Sequence, residues 1–381
     1  MKYRKFGSLD WQSSILAFGT AGLPSRRSHP GSPDEDLSAE LIRGAIDLGV
    51  NYLDLGYPRE MRHQERIARA VGRSLQGGYR ERVKIAVTLP THLADPVKHF
   101  DAQLDTQLRW LEADRADFCV FGRLNRENWP ILQNSSALEW AESAIRSSRV
   151  EHFGFAFHDH FQPLKSVLSA WSQWAFCQFQ FSYMDIDHDP GISGIRHAAE
   201  LGLAVVVSDP LKSGLLTRNI PEPVSRVWTE ALKRRSLMEW GLRFVWNDAQ
   251  ISAAILDIPS RQELAENAAC AERAEPGGLS VQEEVWIGKM RDARRSLQRI
   301  PCKSCRPCMP CPEGIDVPRI FEIYNDAFIY QDLETARAIY RREMGQAHRC
   351  TRCGCCENRC VKRLPMMELL EAALRLLEEP Q

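Results

Sequence analysis

The sequence predicts an α/β protein, a closed (β/α)8 barrel followed by a smaller α-helical domain. Three observations carry this. Eight short apolar stretches alternate with longer amphipathic ones between residue 14 and about 275, the count for a parallel (β/α)8 barrel. "AEPGGLS" at 274–280 then breaks the last helix of that series with a proline and two glycines. Beyond the break, eight of the twelve cysteines crowd into two runs, 302–311 and 350–360.

"KYRKFG", before the first strand, reads as a hairpin closing the bottom of the barrel. The eight strands are "SILAFGT" (14–20), "NYLDLG" (51–56), "VKIAVTL" (83–89), "DFCVFG" (117–122), "EHFGFAF" (151–157), "FCQFQFSY" (176–183), "LAVVVS" (203–208) and "SAAILDI" (252–258). Between them, stretches such as "AELIRGAIDLG" and "HFDAQLDTQLRWLEA" repeat apolar residues at three- and four-residue spacing, the period of a helix buried on one face. The expected division is a barrel over 1–275, a helical linker over 276–300 and a cysteine-bearing helical domain over 301–381, since 381 residues exceed one growing core. The charges of the linker, Arg291, Arg294, Arg295 and Arg299, read as a solvated face. "VPRIFEIYNDAFIYQDLETARAIYRREM", between the cysteine runs, has helical period.

Net charge of -1 and a pI near 6.8 favour neither nucleic acid nor an anionic membrane as partner. The N-terminus lacks a signal-peptide pattern and no apolar run reaches the length of a membrane span, so a cytoplasmic protein is expected. Clustered cysteines in such a chain point to metal rather than disulfides. Cys119, Cys177 and Cys270 fall in predicted strands or a helix and read as small apolar residues.

"CTRCGCCENRC" places Cys350, Cys353, Cys356 and Cys360 in the C-x2-C-x2-C-x3-C spacing of bacterial ferredoxins, and "CKSCRPCMPCP" repeats a cysteine every third residue. Such a loop offers three thiolates to three irons of a cubane, and a more distant cysteine serves the fourth. The resemblance to two-cluster ferredoxins, in which that fourth cysteine is exchanged, implies one [4Fe-4S] cluster on Cys302, Cys305, Cys308 and Cys360. It implies a second on Cys350, Cys353, Cys356 and Cys311. Structural zinc, the alternative, takes paired C-x2-C units rather than two runs of four. Cys355 is an additional thiol. The intervening helical pattern makes this domain resemble an α-helical ferredoxin.

At the strand ends, where barrel enzymes keep their chemistry, "NYLDLGYP", "GFAFHD", "CQFQFSYMD", "DPLKSGLL" and "SRQELAEN" resemble the aldo/keto reductase superfamily, and "IPCKSCRPCMPCPEGIDVP" resembles its iron-sulfur branch. The resemblance implies an oxidoreductase on a TIM barrel that binds NADPH without a Gly-rich fingerprint. Of the superfamily's proton-transfer tetrad, Asp54 stands at the aspartate position, but Arg59 replaces the tyrosine, Thr88 the lysine and Gly122 the histidine. Arg59 keeps its proton at neutral pH and cannot be the acid, so ordinary NADPH-dependent carbonyl reduction is not expected. Ala156, Phe157 and Ser208 stand where the nicotinamide would be held. Gln178 at that pocket, Pro210, Leu211, Gly214 and Leu216 around the pyrophosphate, and Glu266 and Asn267 at the adenine match the family's cofactor-binding pattern, leaving NADPH a possible ligand.

Replacement catalysis falls to Tyr57, beside Arg59, and to His158 as general acid or base in "HDH", with Asp185, Asp187 and His188 a further polar loop. The leading expectation is an iron-sulfur oxidoreductase acting on a small organic substrate at the barrel mouth, with a protein electron donor or acceptor as partner. The competing one is a catalytically silent barrel serving as a binding scaffold for an electron-transfer domain.

Overall fold

The computed structural model describes residues 1–25, 33–57, 61–91, 95–187, 190–231, 233–344 and 349–378. Arg59 and His188 lie outside these residues. Two compact units are formed, one from Met1–Ser213 and Met238–Ser280, the other from Gly214–Leu237 and Val281–Gln381.

The first unit is a closed parallel barrel. β1 (Tyr3–Lys5) and β2 (Gln12–Ser14) pair antiparallel as the expected hairpin. The barrel strands follow as β3 (Leu16–Gly19), β4 (Tyr52–Asp54), β5 (Lys84–Pro90), β6 (Ala116–Leu124), β7 (Val150–Phe157), β8 (Trp174–Gln180), β9 (Ala204–Ser208) and β10 (Ile251–Asp257). They close in the order β10-β3-β4-β5-β6-β7-β8-β9. Every predicted strand is present. β8 starts two residues before its predicted run and releases Phe181 to Tyr183, whose apolar side chains are buried just past the strand. Hydrophobicity alone does not separate a strand residue from a buried residue in the loop after it.

The hairpin stops the lower end of the barrel. Phe6, fully buried, stacks on Phe118 with ring centroids 5.0 Å apart and meets Tyr52 and Phe176 at 5.8 and 5.7 Å. Such a layered interior is a packed core rather than a pore. Gly7 makes the turn possible: its φ is +57°, and a Cβ there would meet Ala204 N at 2.4 Å. The apolar faces of the surrounding helices bury against the outside of the strands.

The second unit is helical. Helices Val317–Ile329 and Leu333–Glu343 pack with Met366–Glu378 around Ile320, Phe321, Tyr340 and Leu370. Asp316 and Asp332 cap the first two, accepting from Arg319 N and Thr335 N. Helix Val281–Arg295 and the segment Gly214–Leu237 belong to this unit as well. Within it Arg294 is fully buried, donates to Leu216 O (2.9 Å) and Ile329 O (3.2 Å) and covers the Tyr330 ring. Expected on the solvated face of a linker, Arg294 is instead a core residue, because three partners compensate its burial. Among the described residues no helix is long and apolar enough to cross a membrane.

Candidate functional site

The upper, C-terminal end of the barrel gathers carboxylates. Gly19 pairs in register with Asp54 on β4 and with Asp257 on β10, setting both acids level with it on its two flanking strands. A Cβ at Gly19 would meet Asp257 Oδ1 at 2.6 Å, so the glycine leaves room for that side chain. Asp209, just past β9, is within electrostatic reach of Asp257, as is Asp54.

Asp54 is buried at 5 % exposure. One oxygen accepts from Gln178 Nε2 at 2.7 Å, reaching across from β8, and the other from Gly56 N at 2.7 Å. Burial pushes its carboxyl up to about 6, against those two hydrogen bonds, which favour the charged form. Burial among protein atoms raises Asp209 to about 6 as well. Asp257, the most solvent-accessible of the three, accepts backbone N–H groups of Ala21 and Gly22. Asp209, Lys212 and Ser213 all take left-handed backbone conformations, unusual for residues with side chains.

Thr88 and Tyr57 crowd Gly122 at the end of β6. A Cβ at Gly122 would meet Thr88 Cγ2 and the Tyr57 ring, both at 2.7 Å, so the glycine leaves room for that ring. Arg123 faces the other part of that ring at 5.7 Å. Tyr57 was legible as a residue two positions before Arg59, not as the ring against Gly122.

His158 donates its backbone N–H to Leu124 O at 2.8 Å and is half-buried beside Asp159. Burial opposes the charge of Asp159, but the Arg126 guanidinium (Nε at 2.7 Å) and the backbone N–H groups of Arg126 and His160 hold its carboxyl below the ordinary range. Asp185 accepts from Lys212 Nζ at 2.8 Å and from Ser182 Oγ at 2.8 Å. A cleft of about 590 Å³ opens at the opposite end of the barrel, among Trp11, Arg80, Lys84 and Asp117. Barrel enzymes do not place chemistry at that end.

The residues expected around a dinucleotide are placed as follows. Gln178 spends its amide on Asp54 and stands 3.4 Å from the Tyr52 hydroxyl. Pro210 is buried and Leu211 packs on the barrel core. Gly214 and Leu216 belong to the helical unit, where Leu216 is fully buried. Glu266 is exposed and accepts from Gln262 at 2.9 Å, while Asn267 is buried with no hydrogen-bond partner for Oδ1 among the described residues. Lys212 is tied to Asp185, Arg218 sets its Nε 3.4 Å from where a Cβ of Gly214 would stand, and the ends of β9 and β10 carry Asp209 and Asp257. Asp209 and Asp257 would repel a pyrophosphate brought beside them, whereas Arg218 would attract it.

In the helical unit the cysteines fall into two sets. Cys302 has Cys305 and Cys360 as electrostatic neighbours; Cys308 has Cys302 and Cys305, and also Cys356 of the other set. Cys356 has Cys311 and Cys350. Cys311, Cys350, Cys353 and Cys356 line one small pocket with Ile315 and Leu370, and Cys355 reaches it too. Two side chains join the runs: Lys362 Nζ donates to Pro301 O at 2.9 Å and Arg359 Nη1 to Pro310 O at 3.5 Å. Ser304 N and Leu364 N point at the sulfurs of Cys302 and Cys360, at 3.4 and 3.5 Å. Among the described residues no three His, Cys, Asp or Glu side chains converge closely enough for a single metal ion. A four-iron cubane makes a different demand, one thiolate on each iron, and two sets of four thiols match it in number and neighbourhood.

A barrel of this topology has known counterparts. The aldo/keto reductase family model matches residues 15–275. The chain belongs to the aldo/keto reductase family, a family of oxidoreductases. Similar solved structures include an aldo-keto reductase from Bacillus halodurans in its holo form, 20 % identical over 76 % of this chain and 96 % of that one, TM-score 0.59. Another, from Klebsiella pneumoniae and solved with NADPH, is 17 % identical over 76 % and 95 %, TM-score 0.62. A thermostable aldo-keto reductase solved with the inhibitor epalrestat is 21 % identical over 76 % and 100 %, TM-score 0.62.

Proposed function

We propose that the protein is an iron-sulfur oxidoreductase of the aldo/keto reductase family, in which the helical unit holds two [4Fe-4S] clusters and the barrel mouth holds a small organic substrate. The observation that carries this reading is the pairing of the cysteines: Cys360 neighbours the first run and Cys311 the second, the exchange that a two-cluster ferredoxin requires. When bound, such clusters supply single electrons. The proton side of the reaction then falls to the barrel, where Asp54 is the buried acid and Tyr57 and His158 border the same end.

Cys360→Ser should lower iron and acid-labile sulfide by about half and disturb the cluster of Cys302, Cys305 and Cys308, and Cys311→Ser should disturb the other. EPR of the reduced, anaerobically reconstituted variants distinguishes the two. Unchanged iron content in both would sink the reading.

NADP(H) has no step in this proposal, because Asp209 and Asp257 oppose its phosphates. An anaerobic NADPH fluorescence titration of the full chain should show no saturation, and Asp209→Asn with Asp257→Asn should tighten binding by ~10-fold or more. Tight binding by the unaltered chain would return the nicotinamide to the reaction. A silent barrel is the second reading, favoured by the Tyr57 ring lying against Thr88 and Gly122. Loss of turnover in Asp54→Asn with clusters intact would eliminate it.

A further inference from the structure

We propose that the cysteine-bearing surface of the helical unit docks an acidic, one-electron carrier protein. The inference rests on the iron-sulfur reading above and adds the partner. Each cysteine set shows one member to solvent: Cys305 in the first and Cys353 in the second are exposed, while Cys308 is buried. An exposed ligand brings a cluster edge within reach of a bound partner.

The segments that carry those two cysteines hold more positive than negative charge. Segments 302–313 and 349–363 carry Lys303, Arg306, Arg349, Arg352, Arg359, Lys362 and Arg363 against Glu313 and Glu357, seven cations to two carboxylates in a chain whose net charge is -1. All but Arg306 of the seven are exposed. Arg306 pairs with Asp316 and Arg352 with Glu371. Lys303, Arg349, Arg359, Lys362 and Arg363 have no carboxylate partner among the described residues, and the bonds of Arg359 and Lys362 to backbone oxygens leave their charge uncompensated. A solvated helix face normally mixes both signs, whereas here the cations collect around the two outward thiols. Such a patch steers an oppositely charged protein into place. The carrier's reduced centre would give up one electron and a cluster of this chain would gain it, or the reverse, with no bond made.

The rival explanation is that the cations only offset the negative charge of thiolate-bound clusters. A second rival is a phosphate polyanion. The test uses the reconstituted full chain and follows cluster reduction by stopped flow with two reductants, a pre-reduced acidic plant-type ferredoxin and a neutral photoreduced deazaflavin. The ferredoxin rate should fall ~10-fold between 10 mM and 200 mM salt, and the deazaflavin rate should barely change. Lys303→Glu with Arg363→Glu, neither of which ties the two runs together, should slow the ferredoxin reaction ~10-fold at low salt and leave iron content and the deazaflavin rate intact. Equal rates for variant and parent with ferredoxin would overturn the proposal. So would a shifted cluster potential as the only effect, or retention on heparin without any ferredoxin effect. Absence of iron after reconstitution would instead refute the iron-sulfur reading itself.

Discussion

Asp54 holds its proton at pH values where most aspartates have lost theirs. With its folded pKa raised to about 6 from an ordinary 3.8, the native state keeps a proton that the unfolded chain has already released. The stability this group contributes is therefore present below about pH 4 and lost as the pH climbs through 6. Asp54→Asn should escape that loss, so variant minus parent in unfolding free energy should rise by roughly 2 kcal/mol between pH 4 and pH 8. Denaturant midpoints at the two pH values check it; a constant difference would mean that Asp54 is an ordinary carboxylate. Asp54 was legible through the family resemblance carried by the motif at the end of its strand. The carboxylates at 209 and 257 were not, because an aspartate after a strand resembles any turn residue until strand register sets it level with another acid.

At the scale of elements, the eight barrel strands were readable because their apolar runs are short, rich in β-branched and aromatic residues and separated by helix-length amphipathic stretches. The hairpin before them was readable as a closure, but not the depth to which Phe6 enters. Phe6→Ala would remove the ring on which Phe118, Tyr52 and Phe176 converge, and should cost about 3–5 kcal/mol, read as a lower barrel transition by calorimetry. A loss below 1 kcal/mol would show that the interior layer closes without it. The segment 214–237 was read as barrel sequence because it lies between two barrel strands. Its buried residues, Leu216 and Val224, have the same composition whichever core they enter. Apolar pattern reveals that a face is buried and is silent on what covers it.

For the whole molecule, two compact units of different chemistry should respond differently to metal. The helical unit relies on a modest core and on loops in which Ser304, Arg306, Arg352 and Arg363 are left-handed; thiolate ligation would hold such loops, as binding free energy is also folding free energy. Stripping iron from the loaded protein with a chelator should lower the melting of the helical unit and leave the barrel transition in place, with far-UV and near-UV circular dichroism separating the two. One joint shift of both transitions would count against this division.

The discontinuity of the helical unit bears on how the chain comes into being. Residues 214–237 leave the ribosome before β10 exists, yet the residues they are grouped with begin at Val281. The barrel's sequence is complete by Ser280, while an earlier stretch with Leu216 and Val224 still awaits its companions. The cysteine-bearing tail is therefore not an appendage to be cut away: a chain ended at 280 keeps a greasy orphan segment inside the barrel's own sequence, exposed to proteases and to other chains.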